Sequence, residues 1–570
     1  ARLIFVMSGV QIPPPLPKLS SLLCLNMFFF IKRKLNNFKK RIFNYLVKYF
    51  FRKISYLELK KLFINNYSTE NSNIVIEGFW ENAHQWLRLI MLINALKSKH
   101  KINIIGIYSN NIAPYFQKES INLFSLDKLL DIDFEIEKKY LLKSKNFLSS
   151  LKSTKEFLEL KIDYNFPIFY LYDDILRQES IGTFDDTINA NISFKEIIKK
   201  YNLKLYLAKT LSLLNFYNNI FSSKSIDKTI ISHQVNSKFA CLAWISLINN
   251  TEVYVLNYYN KHLTIRKLLS TLNMKKYFDD APTIQEINNL SKEKKQKAIL
   301  SGKKYLSLIR EGKESEVQIA KPYGSGKKFF KTKLDFLNNH RLSKNKINVV
   351  IMGNVWPDYP NGYSNGLFFD YVDWYLFTLR HVVKINNCNW ILKSHPGESL
   401  YGNKTTLKQL TNITLPKNVV FWNNRANGND LNEYCDVIVT ARGTSAIEYA
   451  SLGKKVITSF DSPFTRLGFT SHANTKDEYV NLLNNINKIK TLSKNQIDIA
   501  NIFAASFLAD LKDKRFLEFP FGTGGNLLYL KFPSFLKKYK ITIFEETEII
   551  KKWLSSKTTR YNTYKFLNDL

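Results

Sequence analysis

Short apolar runs alternate with longer amphipathic segments along most of this chain. The segments between the runs carry apolar residues at helical spacing. Strands that alternate with helices are typical of βαβ units, so the pattern predicts an α/β protein with two successive Rossmann-like domains. The runs lie at 73–77, 102–108, 228–233 and 252–256 in the first half, and at 347–352, 390–393, 419–422, 436–440 and 455–460 in the second half.

Polar residues follow the strands of the second half, at the edge where parallel sheets bind ligands. Basic and hydrogen-bonding side chains there suit a nucleotide phosphate, whose charge grows as its bond to a sugar breaks. The turn at Gly443 leads into a predicted helix whose first amides are free to bind an anion. The residues predicted to bind the nucleotide are Lys393, His395, Pro396, Gly397, Glu398, Arg442, Gly443, Thr444, Ser445 and Glu448.

Three carboxylates are candidates for the general base that would activate an acceptor hydroxyl. Glu77 ends the first strand, Asp174 lies in the segment YDDILR, and Asp358 lies in a Gly- and Pro-rich loop of the second half. Glu77 also fits a helix-start carboxylate, and Asp174 also fits a helical ion pair with Arg177. His395 is predicted to act in catalysis by stabilising the departing phosphate.

Two further residues each allow two interpretations. Ser445 and Glu448 fit an S-x-x-E capping box, so Glu448 is either a helix cap or a carboxylate that holds a ribose hydroxyl pair. His233 ends a predicted strand, so it either has a structural role or lines the ligand-binding edge of the first half.

The chain divides into four predicted parts. They are an N-terminal extension (1–70), a first Rossmann-like acceptor domain (71–325), a second Rossmann-like donor domain (326–490) and a C-terminal helical segment (491–570). A general expectation for two such domains is that donor and acceptor bind on opposite sides of the cleft between them.

The N-terminal extension has two distinct stretches. Residues 1–26 are Pro-rich and begin without Met, so we interpret them as translated upstream sequence, with Met27 as the natural start. Residues 27–63 are basic, with aromatic and aliphatic residues at helical spacing, and predict an amphipathic helix. Such a helix either binds an anionic membrane surface or packs on the body of the protein. No apolar stretch reaches the ~18 residues of a transmembrane helix.

The formal net charge of +35 indicates either an anionic partner or a composition that is simply rich in Lys. No signature of a nucleic-acid-binding module is present, so nucleic acid is not an expected partner. The four cysteines are scattered and form no CxxC pair, as in a reduced cytoplasmic protein. The histidines have no metal-ligand spacing, and we predict neither a metal nor a cofactor.

Several of these segments resemble a known family. KSHPGE (393–398), DVIVTARGTSAIEYASLGKKVI (436–457) and YDDILR (172–177) are similar to bacterial capsule and surface-polysaccharide glycosyltransferases of GT-B architecture. In that architecture two Rossmann-like domains face each other across a cleft. The His-Pro pair is shared with Kdo transferases and bacterial sialyltransferases, where it contacts the CMP part of the donor. The resemblance therefore implies that His395 and Pro396 bind the donor.

The resemblance also places Thr444 and Ser445 near the phosphate and implies no metal. The chain departs from the sialyltransferase pattern in its acidic motif, because only Glu77 and Gly78 match it and one preceding acid is missing. The departure leaves the identity of the general base open among the three candidate carboxylates.

The leading hypothesis is a cytoplasmic glycosyltransferase of surface-polysaccharide biosynthesis, peripheral at the inner membrane through its basic N-terminal helix. It would move a CMP-linked, Kdo- or sialic-acid-like sugar to a lipid-linked glycan. Expected partners are the nucleotide-sugar donor, a glycan or glycolipid acceptor, the membrane surface and other polysaccharide-assembly proteins. The alternatives are a CDP-glycerol-type glycerophosphotransferase, a nucleotide-sugar epimerase on the same fold, and a non-catalytic protein that binds membrane surfaces.

Overall fold

The structure is a computed structural model. It describes residues 57–59, 61–62, 71–78, 83–97, 101–108, 122–125, 138–184, 192–257, 263–274, 281–313, 321–324, 327, 329–362, 366–398, 404–423, 425–508 and 533–562. Residues 1–26 and, apart from 57–59 and 61–62, the basic helix predicted over 27–63 lie outside the described residues.

The first half is built on a seven-stranded sheet of order β13-β6-β5-β4-β1-β2-β3. Strands β1 to β5 run parallel, whereas β6 pairs antiparallel with β5 and β13 pairs antiparallel with β6. Its elements are β1 (Asn71–Gly78), α1 (Ala83–Lys97), β2 (Lys101–Tyr108), β3 (Asn122–Ser125), α2 (Lys138–Ser149), α3 (Thr154–Glu159), α4 (Phe169–Glu179), α5 (Phe194–Lys200), α6 (Leu203–Ser223), β4 (Lys228–Ile231), α7 (Ser237–Ile248), β5 (Glu252–Asn257), β6 (Thr264–Leu268) and α8 (Thr271–Met274).

The second half is built on a six-stranded, all-parallel sheet of order β12-β11-β10-β7-β8-β9. The chain then returns to the first half through its last helix and strand. The elements are α9 (Ile284–Asn288), α10 (Lys292–Arg310), α11 (Lys333–Asn339), β7 (Ile347–Met352), α12 (Tyr371–Val382), β8 (Cys388–Lys393), α13 (Leu407–Leu410), β9 (Val419–Phe421), α14 (Asn429–Tyr434), β10 (Val437–Val439), α15 (Ser445–Ala450), β11 (Lys455–Thr458), β12 (Ser471–His472), α16 (Lys476–Asn484), α17 (Lys494–Phe503), α18 (Lys540–Leu554) and β13 (Arg560–Asn562).

Both sheets are covered by helices on both faces, which explains the apolar runs of the sequence. In β7, Val349 and Ile351 pack with α12 and α16, whereas Val350 and Met352 pack on the other face with α10 and α17. A strand that is buried on both faces has no polar side to alternate with its apolar one. The predicted α/β class with two Rossmann-like sheets is confirmed.

Two segments pack with a different half from the one in which the sequence places them. Residues 281–325 are predicted as part of the first domain, yet Ile287, Ala298 and Leu306 lie in the same core cluster as Val350 of β7. Residues 491–570 are predicted as one helical segment, yet its described parts pack in two places, with α17 on the second half. Helix α18 packs against α1, and β13 extends the first sheet. Tertiary burial of apolar side chains, which is not visible in chain order, decides both placements.

The order of the strands reverses at one point in each sheet. β1 lies between β2 and β4, and β7 lies between β8 and β10, so the chain winds away from each of these strands in both directions. The loops that leave such a switch point separate to opposite faces of the sheet and open a crevice at its carboxyl edge, where ligands bind.

Candidate functional site

The carboxyl edge of the second sheet brings together the segments predicted to bind the nucleotide. Gly353 follows β7, Lys393 ends β8 and Thr440 follows β10, and these three strands are neighbours. The amide of Gly353 donates to the carbonyl oxygen of Lys393 at 2.8 Å. A Cβ atom at position 353 would lie 3.1 Å from that oxygen and 3.3 Å from the amide nitrogen of His395. The absence of a side chain at Gly353 therefore lets the two loops approach closely.

Lys393 and Glu448 occupy this edge together. Burial lowers the pKa of Lys393 to about 8, although Glu448 acts in the opposite direction. Burial raises the pKa of Glu448, while a hydrogen bond from the Tyr323 hydroxyl at 3.1 Å, Lys393 and Arg310 oppose that rise. Lys327 also lies within electrostatic reach of Lys393. We call Arg310, Lys327 and Lys393 the basic cluster, and its three cations against one carboxylate make a local field that favours an anion.

His395 presents a neutral imidazole to the same edge. Burial, followed by the charge of Lys393, lowers the pKa of His395 to about 4. Its Nδ1 atom accepts a hydrogen bond from the amide of Gly397 at 3.0 Å. A neutral imidazole that accepts at Nδ1 carries its proton on Nε2, so His395 is a hydrogen-bond donor at neutral pH rather than a cation.

Glu398 and Arg442 point to protein groups. Glu398 Oε1 accepts from the indole Nε1 of Trp356 at 2.9 Å and from the amide of Leu407 at 2.8 Å. The guanidinium of Arg442 donates to the carbonyl oxygen of Tyr359 at 3.2 Å and lies over the ring of Tyr371 at 5.2 Å. Both side chains therefore position the loops around the site.

The capping box predicted between Ser445 and Glu448 does not form. Helix α15 begins at Ser445, and its N-cap is Thr444, which makes no side-chain capping bond. Glu448 instead bonds the Tyr323 hydroxyl. The carboxylate of Glu448 therefore lies beside Tyr323, Lys393 and Arg310, and its interpretation as a ribose-binding group stays a prediction. Gly443 donates its amide to the hydroxyl of Thr440 at 3.2 Å, which fixes the turn before the helix.

Glu77 and His233 lie at the switch point of the first sheet. Glu77 is 3% exposed, and its Oε2 atom accepts from both the amide (2.9 Å) and the hydroxyl of Ser232, which follows β4. His233 Nδ1 accepts from the amide of Val235 at 3.2 Å, and burial lowers the pKa of His233 to about 4. His233 is thus part of the turn between β4 and α7, and Glu77 of β1 holds that turn through Ser232.

Asp174 and Asp358 lie where the two halves meet. Asp174 is 4% exposed, and its Oδ2 atom accepts from the amide of Ser237 at 2.8 Å, whereas its buried Oδ1 atom has no hydrogen-bond partner. Burial raises the pKa of Asp174 to about 7. Burial also raises the pKa of Asp358, while Arg442 and Arg177 act to lower it. The structure thus brings two of the three candidate bases to the junction of the halves.

The loop at 353–362 connects this junction to the second sheet. Asp173 of α4, fully buried, accepts from the amides of Asn361 (2.9 Å) and Gly362 (2.6 Å) and from the side-chain amide of Asn361 (2.9 Å). The side-chain amide of Asn236 donates to the hydroxyl of Tyr359 at 3.1 Å. Tyr359 has a φ of 47°, a left-handed conformation that costs free energy in a residue other than glycine.

Sequence reasoning missed several residues at these edges. Tyr323 and Lys327 lie outside every motif identified from the sequence, yet Tyr323 bonds Glu448 and Lys327 lies near Lys393. Asp173 and Asp174 are adjacent, and the sequence does not distinguish them. In the fold, Asp173 joins the two halves, whereas Asp174 has an oxygen without a hydrogen-bond partner. The glycines and lysines of YGSGKK (323–328) are the sequence signal that could have indicated this loop, because basic, Gly-rich loops often approach phosphates.

Among the described residues, no group of three or more His, Cys, Asp or Glu side chains is arranged to hold a metal ion. Within the same part of the chain, no helix is both long and apolar enough to cross a membrane. Cys241, Cys388 and Cys435 are buried free thiols.

No family model and no curated protein matches the chain. Solved structures with a similar arrangement include the β-Kdo 2,4-transferase KpsC of Thermosulfurimonas dismutans (15% identity, 49% of this chain and 79% of that chain, TM-score 0.30). They also include UDP-GlcNAc 2-epimerase of Methanocaldococcus jannaschii in complex with UDP-GlcNAc and UDP (9% identity, 76% of this chain and 97% of that chain, TM-score 0.25). A third is ADP-heptose LPS heptosyltransferase II of E. coli (10% identity, 73% of this chain and 100% of that chain, TM-score 0.20). At these values the fold assignment rests on the two sheets described above.

Proposed function

We propose that this protein is a glycosyltransferase of surface-polysaccharide biosynthesis that uses a nucleotide-activated sugar donor. The observation that carries the proposal is the convergence of Lys393, neutral His395 and the rest of the basic cluster at the switch point of the second sheet. A charged and a neutral hydrogen-bond donor beside one another suit the phosphate of a leaving nucleotide. The hydrogen bonds from both groups become stronger as the negative charge on the phosphate develops. Glu448 beside them suits the hydroxyl groups of a ribose.

We propose Asp174 as the general base among the three candidates. Its Oδ1 atom is buried and has no partner in the protein, whereas Glu77 bonds Ser232 twice. A pKa of about 7 suits a group that must take up a proton at neutral pH. In the reaction, Asp174 takes the proton of the acceptor hydroxyl while the oxygen of that hydroxyl forms a bond to the anomeric carbon of the sugar. The bond from that carbon to the phosphate oxygen breaks, and its electron pair leaves with the nucleotide.

The finer assignments rest on the resemblance of the His-Pro pair at 395–396. They are a CMP-linked donor of the Kdo or sialic acid type, a lipid-linked glycan acceptor, and a place at the cytoplasmic face of the inner membrane. The basic residues of the N-terminal extension support the last of these, because an anionic bilayer attracts such a segment.

A nucleotide screen followed by two substitutions tests the proposal. Thermal unfolding with CMP, CDP, UDP and GDP should show a rise in Tm with one cognate nucleotide, since only a ligand of the folded state stabilises it. His395→Ala should weaken that rise and slow both donor hydrolysis and transfer. Asp174→Asn should keep the nucleotide-induced rise and lose transfer, because it alters only proton acceptance.

Other outcomes would support different functions. Glycerol phosphate transfer from CDP-glycerol, or interconversion of a UDP-sugar with its C2 epimer, would replace glycosyl transfer on the same fold. No stabilisation by any nucleotide, with vesicle binding retained, would favour a non-catalytic membrane-surface protein. Near-normal transfer by the His395→Ala variant would contradict the role given to His395.

A further inference from the structure

Asn354 is a buried polar residue at the ligand-binding edge of the second sheet. It follows Gly353 at the end of β7, the strand at the switch point, and is 8% exposed. Its side-chain nitrogen Nδ2 is buried and has no hydrogen-bond partner. A buried amide donor without an acceptor costs free energy, and a bound ligand that supplies an acceptor removes that cost.

The opposite end of the same strands shows the usual arrangement of buried amides. Asn348 at the start of β7 donates from Nδ2 to the carbonyl oxygen of Tyr434 at 2.8 Å. Asn389 in β8 donates from Nδ2 to Asn348 Oδ1 and to the carbonyl oxygen of Ser343, both at 2.8 Å. The side-chain amides of Asn348 and Asn389 at the amino edge of the sheet therefore have hydrogen-bond acceptors within the protein, whereas that of Asn354 at the carboxyl edge has none.

The neighbours of Asn354 indicate the chemistry of the missing acceptor. Gly353, the preceding residue, packs directly on the backbone of Lys393 and His395. Lys393 and His395 bring a cationic donor and a neutral donor to this edge. An ionised phosphate accepts hydrogen bonds and donates none, so one such group at this edge could accept from Asn354 as well as from Lys393 and His395.

We propose that Nδ2 of Asn354 donates a hydrogen bond to a phosphate oxygen of the nucleotide. This inference rests on the proposed function and deepens it, because it adds a positioning contact from the central strand of the donor site. The orphaned donor is then paired only in the nucleotide complex, so Asn354 favours the bound state without stabilising the free protein.

Calorimetric titration of the full chain with the nucleotide that raises the Tm in the screen of CMP, CDP, UDP and GDP tests this contact. Asn354→Ala should bind the nucleotide at least about tenfold more weakly than wild type, the loss expected for a hydrogen bond to a charged group. Asn354→Asp should bind more weakly still, because a carboxylate repels the phosphate. The Tm of the ligand-free Asn354→Ala protein should equal or exceed that of wild type, since the orphaned donor is gone.

Asn348→Ala is the matched control, because it removes an amide whose hydrogen bonds lie inside the protein. It should lower the Tm of the ligand-free protein and leave the affinity of the folded protein for the nucleotide unchanged. Wild-type affinity in Asn354→Ala would overturn the inference and leave the proposed function standing. A fall in ligand-free Tm like that of the control would also overturn it, by showing an internal partner. A wild-type protein that binds none of CMP, CDP, UDP and GDP would overturn both.

Discussion

Burial acts in the same direction on Lys393 and His395 and leaves them in different charge states. It lowers the pKa of Lys393 from 10.5 to about 8 and that of His395 from 6.5 to about 4. At pH 7 the lysine is therefore mainly charged and the imidazole neutral. One desolvated edge thus provides a cation and an uncharged donor, and the neutral imidazole avoids a second buried charge beside the first.

Nucleotide binding should depend on the charge of Lys393. Above a pH of about 8 the free protein loses this charge, so the affinity for a nucleotide should fall as pH rises through that value. Lys393→Met should bind about 10- to 100-fold more weakly at pH 7, and its affinity should not change between pH 7 and 9.5. Calorimetric titrations across this range measure both effects.

Exposed Lys408 of α13 provides the control, because Lys408→Met removes an equal charge outside the site and should retain the wild-type pH profile. The unfolded chain keeps its lysine protonated up to a pH of about 10.5. The stability of the ligand-free wild type should therefore rise with pH between about 8 and 10.5, relative to Lys393→Met. A wild-type affinity that is flat through pH 8 would contradict the assignment of Lys393 to the phosphate.

At the scale of elements, α4 joins three separate parts of the chain. Tyr172 donates its hydroxyl to Asp370, the N-cap of α12, at 2.5 Å. Asp173 holds the amides of Asn361 and Gly362, and Asp174 holds the first amide of α7. Three consecutive side chains of one helix thus fix the second half, its site loop and a helix of the first half.

Asp173→Ala should release the loop at 353–362, because three donors lose one buried acceptor. We expect a loss of about 2–4 kcal/mol in stability, and faster proteolysis within the loop. Asp173→Asn should cost less, because it keeps one acceptor oxygen. Exposed Asp477→Ala in α16 should have no effect on either measurement. Unchanged proteolysis of the Asp173→Ala loop would show that other contacts hold it.

The contribution of Asp173 to the stability of the protein depends on pH in a definite direction. Burial raises the pKa of Asp173 to about 7, so the folded state keeps a proton that the unfolded chain releases near pH 4. The stability that the folded state gains from this proton is complete below pH 4 and is lost as pH rises to about 7. The Tm of wild type should therefore fall relative to Asp173→Asn across that window.

The elements also show how far the sequence alone predicts this protein. Strands such as β7 and β8 are recognisable because both of their faces are buried and their residues form continuous apolar runs. The three-residue strand β13 has no such run, and its partner β6 lies about half the length of the chain away in sequence. Similarly, residues 393–398 could be predicted as a candidate site because they lie at the carboxyl end of a strand. The bonds of Arg442 to the loop at 358–359 and the open amide of Asn354 depend on contacts that no local pattern encodes.

For the whole molecule, the net charge of +35 is the property that sequence and fold leave unassigned. The last part of the basic N-terminal extension is anchored on the first half: Leu59 is fully buried in the core cluster of α1 and α18. The carbonyl oxygen of Leu62 accepts from the side chain of Asn94 in α1 at 2.8 Å. The described end of the N-terminal extension, at Leu59 and Leu62, is therefore fixed to the first half of the protein.

If the basic N-terminal extension binds the membrane, vesicles that contain phosphatidylglycerol should bind the protein and vesicles of phosphatidylcholine should not. High salt should release it, because exposed charges are screened. Six substitutions to Gln, at Lys32, Arg33, Lys34, Lys39, Lys40 and Arg41, should abolish sedimentation with the vesicles.

The same number of substitutions in α10 controls for total charge, at Lys292, Lys294, Lys295, Lys297, Lys303 and Lys304. If binding reflects diffuse positive charge, the two variants should weaken it equally, because they remove the same charge. If the extension is a membrane anchor, only the first variant should lose binding, since its apolar residues insert only where its charges hold it at the surface. Equal weakening would therefore contradict the anchor and indicate that the excess of lysine is compositional.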